Sequence, residues 1–221
     1  MGTLRIASFN VHHCLGLDGI VDVERVAKVV RSLSADLIAL QELDRNLPRS
    51  GGIDQPRELA RLLDVEVAFF PTISRGDGDY GLAVAGRPSP STASYLALPQ
   101  LGKEEPRGVV TARWEGLEVV CTHLSTAAEA RRIQTSALAA IAARAEGPVA
   151  VLGDLNQGAR ALRPLTVQGF RGAFRHRTLP RARLRPQIDH ILVRDATLRR
   201  SWTVPTTASD HLPLVAEISV P

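Results

Sequence analysis

The chain has 221 residues, 44% of them hydrophobic, which is enough for one substantial core. No Pro/Gly/Ser-rich linker divides it, so we expect a single domain over residues 1–221. No apolar run approaches the length of a membrane span, and the first residues lack the apolar region of a signal peptide. We therefore expect a cytoplasmic protein in which Cys14 and Cys121 are buried reduced thiols rather than a disulfide.

The net charge of +4 conceals an uneven distribution along the chain. Between Arg160 and Arg200 there are eleven arginines and two acids, whereas the first 159 residues hold 16 basic and 19 acidic residues. Such a concentration of positive charge is typical of a surface that faces phosphate groups. A solvated loop is an equally good interpretation, because arginine dominates the basic residues throughout this chain and only two are lysine.

Apolar residues recur with the period of a strand or of a helix in successive segments. In chain order we predict a strand over 4–11, a helix over 21–34, a strand over 35–43, a helix over 55–64, strands over 65–71, 81–87 and 91–99, a hairpin over 108–124, a helix over 127–146, and strands over 148–156, 186–193 and 211–220. This order favours two mixed sheets packed face to face with helices outside. The helix-free stretch 65–123 argues against the rival, a doubly wound α/β fold.

Polar side chains recur where the predicted strands end. They are Asn10, Gln41 and Glu42, His123, Asp154 with Asn156, Asp189 with His190, and Asp210 with His211, the last pair at the start of the final strand. Any one of these residues is explained by a turn, a cap or an ordinary structural hydrogen bond. Six strand ends that all present a carboxylate, an amide or an imidazole predict that the ends meet at one site.

The residue types at these ends indicate hydrolysis of a phosphate ester. Oxygen donors such as Glu42, Asp210 and Asn10 suit Mg²⁺ or Mn²⁺. The sequence has no zinc spacing of the C-x-x-C or H-E-x-x-H type, no P-loop and no G-x-S-x-G serine elbow. The reaction needs a base that activates water and donors for the phosphoryl oxygens. The residues available for these roles are Asp154, His123, His211 and Asn156.

Eight short segments resemble the endonuclease/exonuclease/phosphatase superfamily, the DNase I-like proteins. In chain order they are SFNVHH, LQELD, YGLAVAGR, PRGVVTARW, VVCTHLS, VLGDLN, QIDHILV and ASDHLPLVAEI. They run from Ser8 to Ile218, nearly the whole chain, and their order makes the resemblance specific although each segment alone is weak. The resemblance implies an α/β (α+β) fold, a four-layer sandwich of two packed mixed β-sheets flanked by helices. One departure is Leu82, where the family often has Asn.

The resemblance also implies roles for individual residues. Glu42 matches the principal ligand of Mg²⁺ or Mn²⁺, with Asn10 and Asp210 nearby. His211 matches the imidazole at the scissile phosphate, and Asp189 matches the carboxylate that orients it. The remaining matches are Asp154 for the attacking water, Asn156 and His123 for phosphate oxygens, and Tyr80 and Arg107 for positions that approach the phosphate. Whether Asp154 or His211 is the general base stays open.

Three functions follow from this set of residues. The first is a metal-dependent phosphodiesterase acting on DNA or RNA, which the arginine-rich segment favours. The second is a phosphatase or phosphodiesterase for a small molecule or a lipid headgroup, for which Arg45 and Arg49 would meet a second anionic group. We favour the alternative that these two arginines pair with acids in their loop. The third, a non-catalytic binding domain, ranks last because every core position of the site is filled.

Overall fold

A computed structural model describes residues 2–180 and 187–221, and these form two six-stranded sheets flanked by helices. The strands are β1 Thr3–Asn10, β2 Leu37–Arg45, β3 Val67–Arg75, β4 Gly78–Gly86, β5 Thr92–Ala97, β6 Gly108–Trp114, β7 Leu117–His123, β8 Val149–Asp154, β9 Arg171–Gly172, β10 Asp189–Arg194, β11 Thr197–Thr203 and β12 Leu214–Ser219. The helices are α1 Val23–Leu33, α2 Gln55–Leu63, α3 Ala128–Ala143 and the single turn α4 Arg163–Thr166.

The two sheets have the same plan. The first has the order β11-β12-β1-β2-β4-β3 and the second the order β5-β6-β7-β8-β10-β9. In each sheet one central pair is parallel, β1 with β2 and β7 with β8, and the other neighbours are antiparallel. Strands of a parallel pair end at the same edge of their sheet, so each sheet brings two strand ends side by side.

Three hydrophobic clusters define the layers. The central cluster joins side chains of both sheets, among them Ile6, Leu37, Val119 and Leu152. A second cluster packs α1 and α2 on the outer face of the first sheet, and a third packs α3 and α4 on the outer face of the second. Apolar burial on both faces of each sheet thus produces the four layers, and the predicted sandwich is confirmed.

Local sequence determines where the first two helices begin and end. The carboxylate of Asp22 accepts the backbone N–H of Arg25, and the carboxylate of Asp54 accepts that of Arg57, so each helix begins at an N-cap. Helix α1 ends at Ser34, which takes the left-handed conformation. The apolar side chains of α1, among them Val26 and Val30, pack in one cluster with Phe9 of β1 and Leu40 of β2.

The final strand differs from the prediction, because it begins at Leu214 and Asp210 and His211 lie in the loop before it. The hydroxyl of Ser209 accepts the backbone N–H of His211 at 3.1 Å, and this local turn competes with strand pairing. Pro213 has no N–H for a ladder. Strand β11, which pairs with β12 at the edge of the first sheet, was not predicted because arginines interrupt its apolar alternation.

Two further expectations can be compared with the structure, and a third concerns a segment that is described only in part. Cys14 and Cys121 are buried free thiols, as predicted. Within the described part of the chain, no helix is long and apolar enough to cross a membrane. Of the arginine-rich segment, Arg181, Arg183 and Arg185 lie outside the described residues.

Candidate active site

The carboxyl ends of the two parallel pairs face each other across the sandwich and carry four of the predicted site residues. Asn10 ends β1, Glu42 lies near the end of β2, His123 ends β7 and Asp154 ends β8. The amide nitrogen of Asn10 lies 2.8 Å from Oε1 of Glu42 and 3.2 Å from Oδ2 of Asp154, so it joins the two sheets. The predicted meeting of strand ends is therefore present in the structure.

Backbone irregularities position two of these side chains. Glu42 has a φ of 63° at a register shift in the pairing of β2 with β4, an arrangement that costs free energy and is common at functional sites. Gly153 precedes Asp154, and a Cβ atom there would collide with the carbonyl oxygen of Thr122 on the neighbouring strand. Glycine therefore lets β8 lie close beside β7 and places Asp154 opposite His123.

His211 lies between two buried carboxylates. Its Nδ1 is 2.9 Å from Oδ2 of Asp189, and its Nε2 is 3.7 Å from Oδ2 of Asp154. Asp189 begins β10, which runs antiparallel to β8, so its register pairs it directly with Asp154. All three residues are almost fully buried, which strengthens the electrostatic interactions among them.

The protonation of this trio follows from its surroundings. Burial alone would lower the pKa of His211, but the negative charges of Asp189, Asp154 and Asp210 outweigh it and raise the pKa to about 10. Burial, and then the charge of Asp189, raise the pKa of the Asp154 carboxyl above its ordinary value. The geometry therefore favours an imidazolium at His211 and makes the Asp154 carboxylate more basic than that of an ordinary aspartate.

His123 is held on its other side by a buried arginine. Nη1 of Arg107 lies 2.9 Å from Nδ1 of His123, while Nη2 of Arg107 donates to Glu105 at 2.7 Å. Burial, followed by the charges of Arg107 and His211, lowers the pKa of His123 well below its ordinary value. Arginine can only donate, so Nδ1 of His123 faces a donor, while Nε2 lies 3.5 Å from Oδ2 of Asp154 and 3.1 Å from the amide nitrogen of Asn156.

Asn156 and Tyr80 complete the wall around these groups. The amide nitrogen of Asn156 lies 3.1 Å from Nε2 of His123 and donates to the carbonyl of Leu124, and its backbone N–H donates to Asp154. Tyr80 is 8% exposed, and the guanidinium of Arg49 lies over its ring at 5.2 Å. Burial and the charge of Glu42 raise the pKa of Tyr80, so its hydroxyl is a donor.

Asp210 lies at the rim of the site. Half of its side chain is exposed, and Oδ1 is 3.5 Å from Nδ1 of His12. Ser209, which sequence reasoning missed, is fully buried and donates its hydroxyl to the carbonyl of Asn10 at 2.8 Å. The sequence signal that could have identified Ser209 was its position directly before Asp210 and His211. Through Ser209 the loop that carries both residues is attached to the end of β1.

A second anchor, Thr178, was also missed. Its carbonyl accepts the N–H of Leu212, next to His211, at 2.7 Å. Its hydroxyl lies 3.4 Å from the backbone nitrogen of Asp189, so one residue supports both sides of the His211–Asp189 pair. Nothing in the sequence signals this role, because Thr178 is distant in the chain from both residues that it supports.

The residues of the site lie within a stretch of the chain that matches a known protein family. A model of the Endonuclease/Exonuclease/phosphatase family matches residues 7–211. The chain belongs to this family. Residues Asn10, Glu42, Tyr80, Arg107, His123, Asp154, Asn156, Asp189, Asp210 and His211 all lie within the matched range. Members of the family include nucleases, phosphatases and phosphodiesterases, and most are hydrolases of phosphate esters.

Solved structures of the family share the fold at low sequence identity. An endonuclease/exonuclease/phosphatase from Beutenbergia cavernae is 22% identical with a TM-score of 0.84, covering 100% of this chain and 72% of that one. The mannosyl-6-phosphatase Bt3783 of Bacteroides thetaiotaomicron is 16% identical with a TM-score of 0.74, covering 97% and 99%. TDP2 of D. rerio, complexed with single strand DNA product, is 16% identical with a TM-score of 0.72, covering 100% of both chains. No curated protein matches the chain by sequence.

The family generally uses a divalent metal, and the donor set of this site suits one. Ligand atoms of Asp154, Asp189 and His211 lie within 4.8 Å of one another. His211 is the weak member of that trio, because its Nδ1 is hydrogen-bonded to Asp189 and its raised pKa favours an imidazolium without a free lone pair. The side of the site with Glu42 and Asn10 is richer in oxygen and carries no imidazolium, although the amide nitrogen of Asn10 faces the carboxylates in this structure.

Proposed function

We propose that the protein is a Mg²⁺- or Mn²⁺-dependent phosphodiesterase whose substrate is nucleic acid. The observation that carries the proposal is the position of His211, with Asp189 at 2.9 Å on one nitrogen and Asp154 at 3.7 Å on the other. A cationic donor beside a basic carboxylate supplies both groups that hydrolysis of a phosphate ester requires, one for the phosphoryl oxygens and one for water.

The metal would be held by Glu42, with Asn10 and Asp210 nearby. When bound, the ion supplies positive charge that stabilises the charge developing on the phosphoryl group. Glu42 is suited to this role because its only close partner atoms are the amide of Asn10 at 2.8 Å and, more distantly, His123 at 3.9 Å among the described residues. Its carboxylate therefore has oxygen lone pairs available.

Asp154 would accept the proton of the attacking water, and His211 would donate to the phosphate. The raised pKa of Asp154 makes it a better base than an ordinary aspartate, while the raised pKa of His211 keeps its proton in place at neutral pH. Asp189 would fix the orientation of the imidazolium, leaving the Nε2 proton directed at the substrate. In this assignment Asp154, rather than His211, is the general base.

The phosphoryl oxygens would meet a wall of donors on the opposite side. The imidazole of His123, the amide of Asn156 and the hydroxyl of Tyr80 would line this wall, and Arg107 adds a buried cation behind them. Donors held in place before the reaction stabilise the transition state without reorganising. Nε of Arg107 is buried without a hydrogen-bond partner, which leaves this residue with unused donor capacity.

Two exposed arginines support nucleic acid as the substrate class. Arg175 and Arg177 lie on the segment that Thr178 joins to Leu212, directly beside His211. Of the other arginines in the basic segment, Arg194 donates to the carbonyl of Ala145 and Arg200 pairs with Glu217. Arg177 itself makes one local contact, from Nη2 to the carbonyl of Pro180. Positive charge near the site thus faces solvent where a phosphate backbone would pass. TDP2 shows that this fold accommodates a DNA strand.

The arginines that would serve a polyphosphorylated small molecule are already paired. Nε of Arg45 donates to Asp79 at 2.8 Å, and Arg49 makes a two-pronged contact with the buried Asp44 at 2.7 and 2.8 Å. We predicted pairing with acids of their own loop; Arg49 pairs in this way with Asp44, whereas the partner of Arg45 is Asp79 on the neighbouring strand β4. We also propose that residues 1–221 form a single domain, because both sheets share one core, and that it is cytoplasmic, a location that the two buried free thiols support.

The test is a panel of single- and double-stranded DNA and RNA, inositol phosphates, sphingomyelin and nucleotides, each with Mg²⁺, Mn²⁺ or EDTA. We expect metal-dependent cleavage of nucleic acid that EDTA abolishes, and Asp154→Asn is expected to lower kcat by about 10²- to 10⁴-fold. Asp195→Asn is the matched control, because Asp195 lies in an exposed turn with a φ of 53° that asparagine tolerates.

Glu42→Gln should chiefly raise the metal concentration needed for half-maximal rate. No cleavage of any nucleic acid by the folded protein would refute the proposed substrate. Cleavage confined to the inositol phosphates or sphingomyelin would reassign the same site to a small molecule or a lipid headgroup.

A further inference from the structure

A pocket of about 270 Å³ opens beside Tyr80, between the loop after β2 and the β3–β4 hairpin. Its apolar walls are Leu47, Pro48 and Ile73, with Tyr80 as the fourth side. The charged residues at the pocket are Arg49, Arg75 and Glu105. The volume is slightly below the range of about 300–1,000 Å³ that holds drug-sized ligands, so the pocket suits a single ring system.

The pocket is joined to the active site by direct contacts. Glu105 accepts from Nη2 of Arg107 at 2.7 Å, and Nη1 of the same arginine lies 2.9 Å from His123. Tyr80 lines the pocket, and burial followed by the charge of Glu42 raises the pKa of its hydroxyl, so the same side chain also faces the electrostatic field of the active site. A substrate with its phosphate at His123 would therefore extend one neighbouring group into this pocket.

The charges in the pocket restrict what this group is. Nε and Nη2 of Arg49 both donate to the carboxylate of Asp44, so the charge of Arg49 is largely neutralised. The guanidinium of Arg49 also lies over the Tyr80 ring. Arg75 is exposed, and its guanidinium has no hydrogen-bond or ion-pair partner within residues 2–180 and 187–221. Glu105 adds a negative charge. One free cation beside a carboxylate matches a single phosphate and not a polyphosphate.

The walls exclude two other classes of group. A lipid chain would need a long apolar groove, whereas this pocket is short and has three charged residues at its edge. A quaternary ammonium headgroup would need several aromatic faces, whereas Tyr80 is the only aromatic lining residue and carries a guanidinium on its ring. A planar heterocycle with one adjoining phosphate satisfies the apolar walls, the guanidinium plane and the free cation together.

We infer that this pocket binds the base of the nucleotide next to the scissile phosphate, with the following phosphate on Arg75. The inference rests on the proposed function and adds to it a base-binding subsite built by Ile73, Pro48 and Tyr80. Contact with a base face is tolerant of sequence, so the subsite selects nucleotides as a class and not one base.

The probe is 2′-deoxyadenosine 3′,5′-bisphosphate, compared with its abasic analogue 1,2-dideoxyribose 3,5-bisphosphate, in calorimetric titrations of the whole protein with Mg²⁺. The base should tighten binding about tenfold or more, which is about 1.4 kcal/mol. Ile73→Ala should weaken binding of the nucleotide and leave the abasic analogue unchanged. Arg75→Ala should weaken both, and Arg132→Ala, which removes an exposed arginine on the distant helix α3, should change neither.

Equal affinity for the nucleotide and the abasic analogue would overturn the subsite, as would tighter binding of inositol 1,4,5-trisphosphate at Arg75. The proposed function is tested independently of the pocket. If the binding pattern appears but no phosphodiester is cleaved, the pocket stands and the activity is wrong. If nucleic acid is cleaved while Ile73→Ala and the loss of the base have no effect on binding, the activity stands and the pocket is wrong.

Discussion

Ser209→Ala should lower both the free energy of unfolding and kcat, because the Ser209 hydroxyl anchors the loop that carries Asp210 and His211. The hydroxyl donates to the carbonyl of Asn10 at 2.8 Å and accepts the N–H of His211 at 3.1 Å, and the residue is fully buried. Two hydrogen bonds of about 0.5–1.5 kcal/mol each predict a loss of about 1–3 kcal/mol in the free energy of unfolding. For a domain of this size, 2 kcal/mol corresponds to a decrease of about 4–8 °C in Tm.

The catalytic effect follows from the same contact. A displacement of about 1 Å at His211 would lower kcat by up to about 100-fold, with a smaller change in KM. Urea unfolding and steady-state kinetics on one preparation measure both quantities. Ser136→Ala is the matched control, because Ser136 is exposed on α3 and its hydroxyl donates only to the carbonyl of Arg132. A change below about 0.5 kcal/mol with an unaltered kcat would refute the anchoring role of Ser209.

Two further predictions concern stability. Arg200 and then Arg5 bind the carboxylate of Glu217 and lower its pKa to about 2, so its stabilising effect is complete above its ordinary value near 4.5 and lost as pH falls toward 2. Glu217→Gln should therefore be less stable than wild type at pH 7, and the difference should shrink as pH falls through about 2. A stability difference in urea unfolding that stays constant with pH would contradict this. Gly153→Ala should lower the free energy of unfolding by more than about 2 kcal/mol, because the added methyl group would collide with the carbonyl of Thr122. A variant with wild-type stability would contradict this packing.

The sequence was sufficient for the parts of the fold that are set locally. Apolar periodicity located every strand that carries a site residue, but it misplaced two starts: the strand predicted over 81–87 begins at Gly78 and so includes Tyr80, and the last strand begins at Leu214. The hairpin over 108–124 was predicted because Gly116 lies between two apolar runs, and in the structure both Glu115 and Gly116 have positive φ at the turn. The ordered segments of the family then identified the residues that the structure brings together at the strand ends.

The remainder depends on contacts between distant parts of the chain. Thr178 supports Asp189 and the loop of His211 through backbone groups, and a backbone acceptor has no sequence signature. The donor that faces Nδ1 of His123 is Arg107, which reaches it across β6 and β7. The pocket beside Tyr80 arises because a loop and a hairpin fold against each other, and neither segment alone indicates a cavity.

The central claim is that His211, held between Asp189 and Asp154, acts on a phosphodiester. The most direct measurement is the rate of hydrolysis of bis-p-nitrophenyl phosphate with Mg²⁺ by wild type and by His211→Ala, with circular dichroism to confirm that both are folded. We predict hydrolysis by wild type that EDTA abolishes and a kcat about 10²- to 10⁴-fold lower for His211→Ala. A folded His211→Ala protein that keeps the wild-type rate would contradict the role proposed for His211.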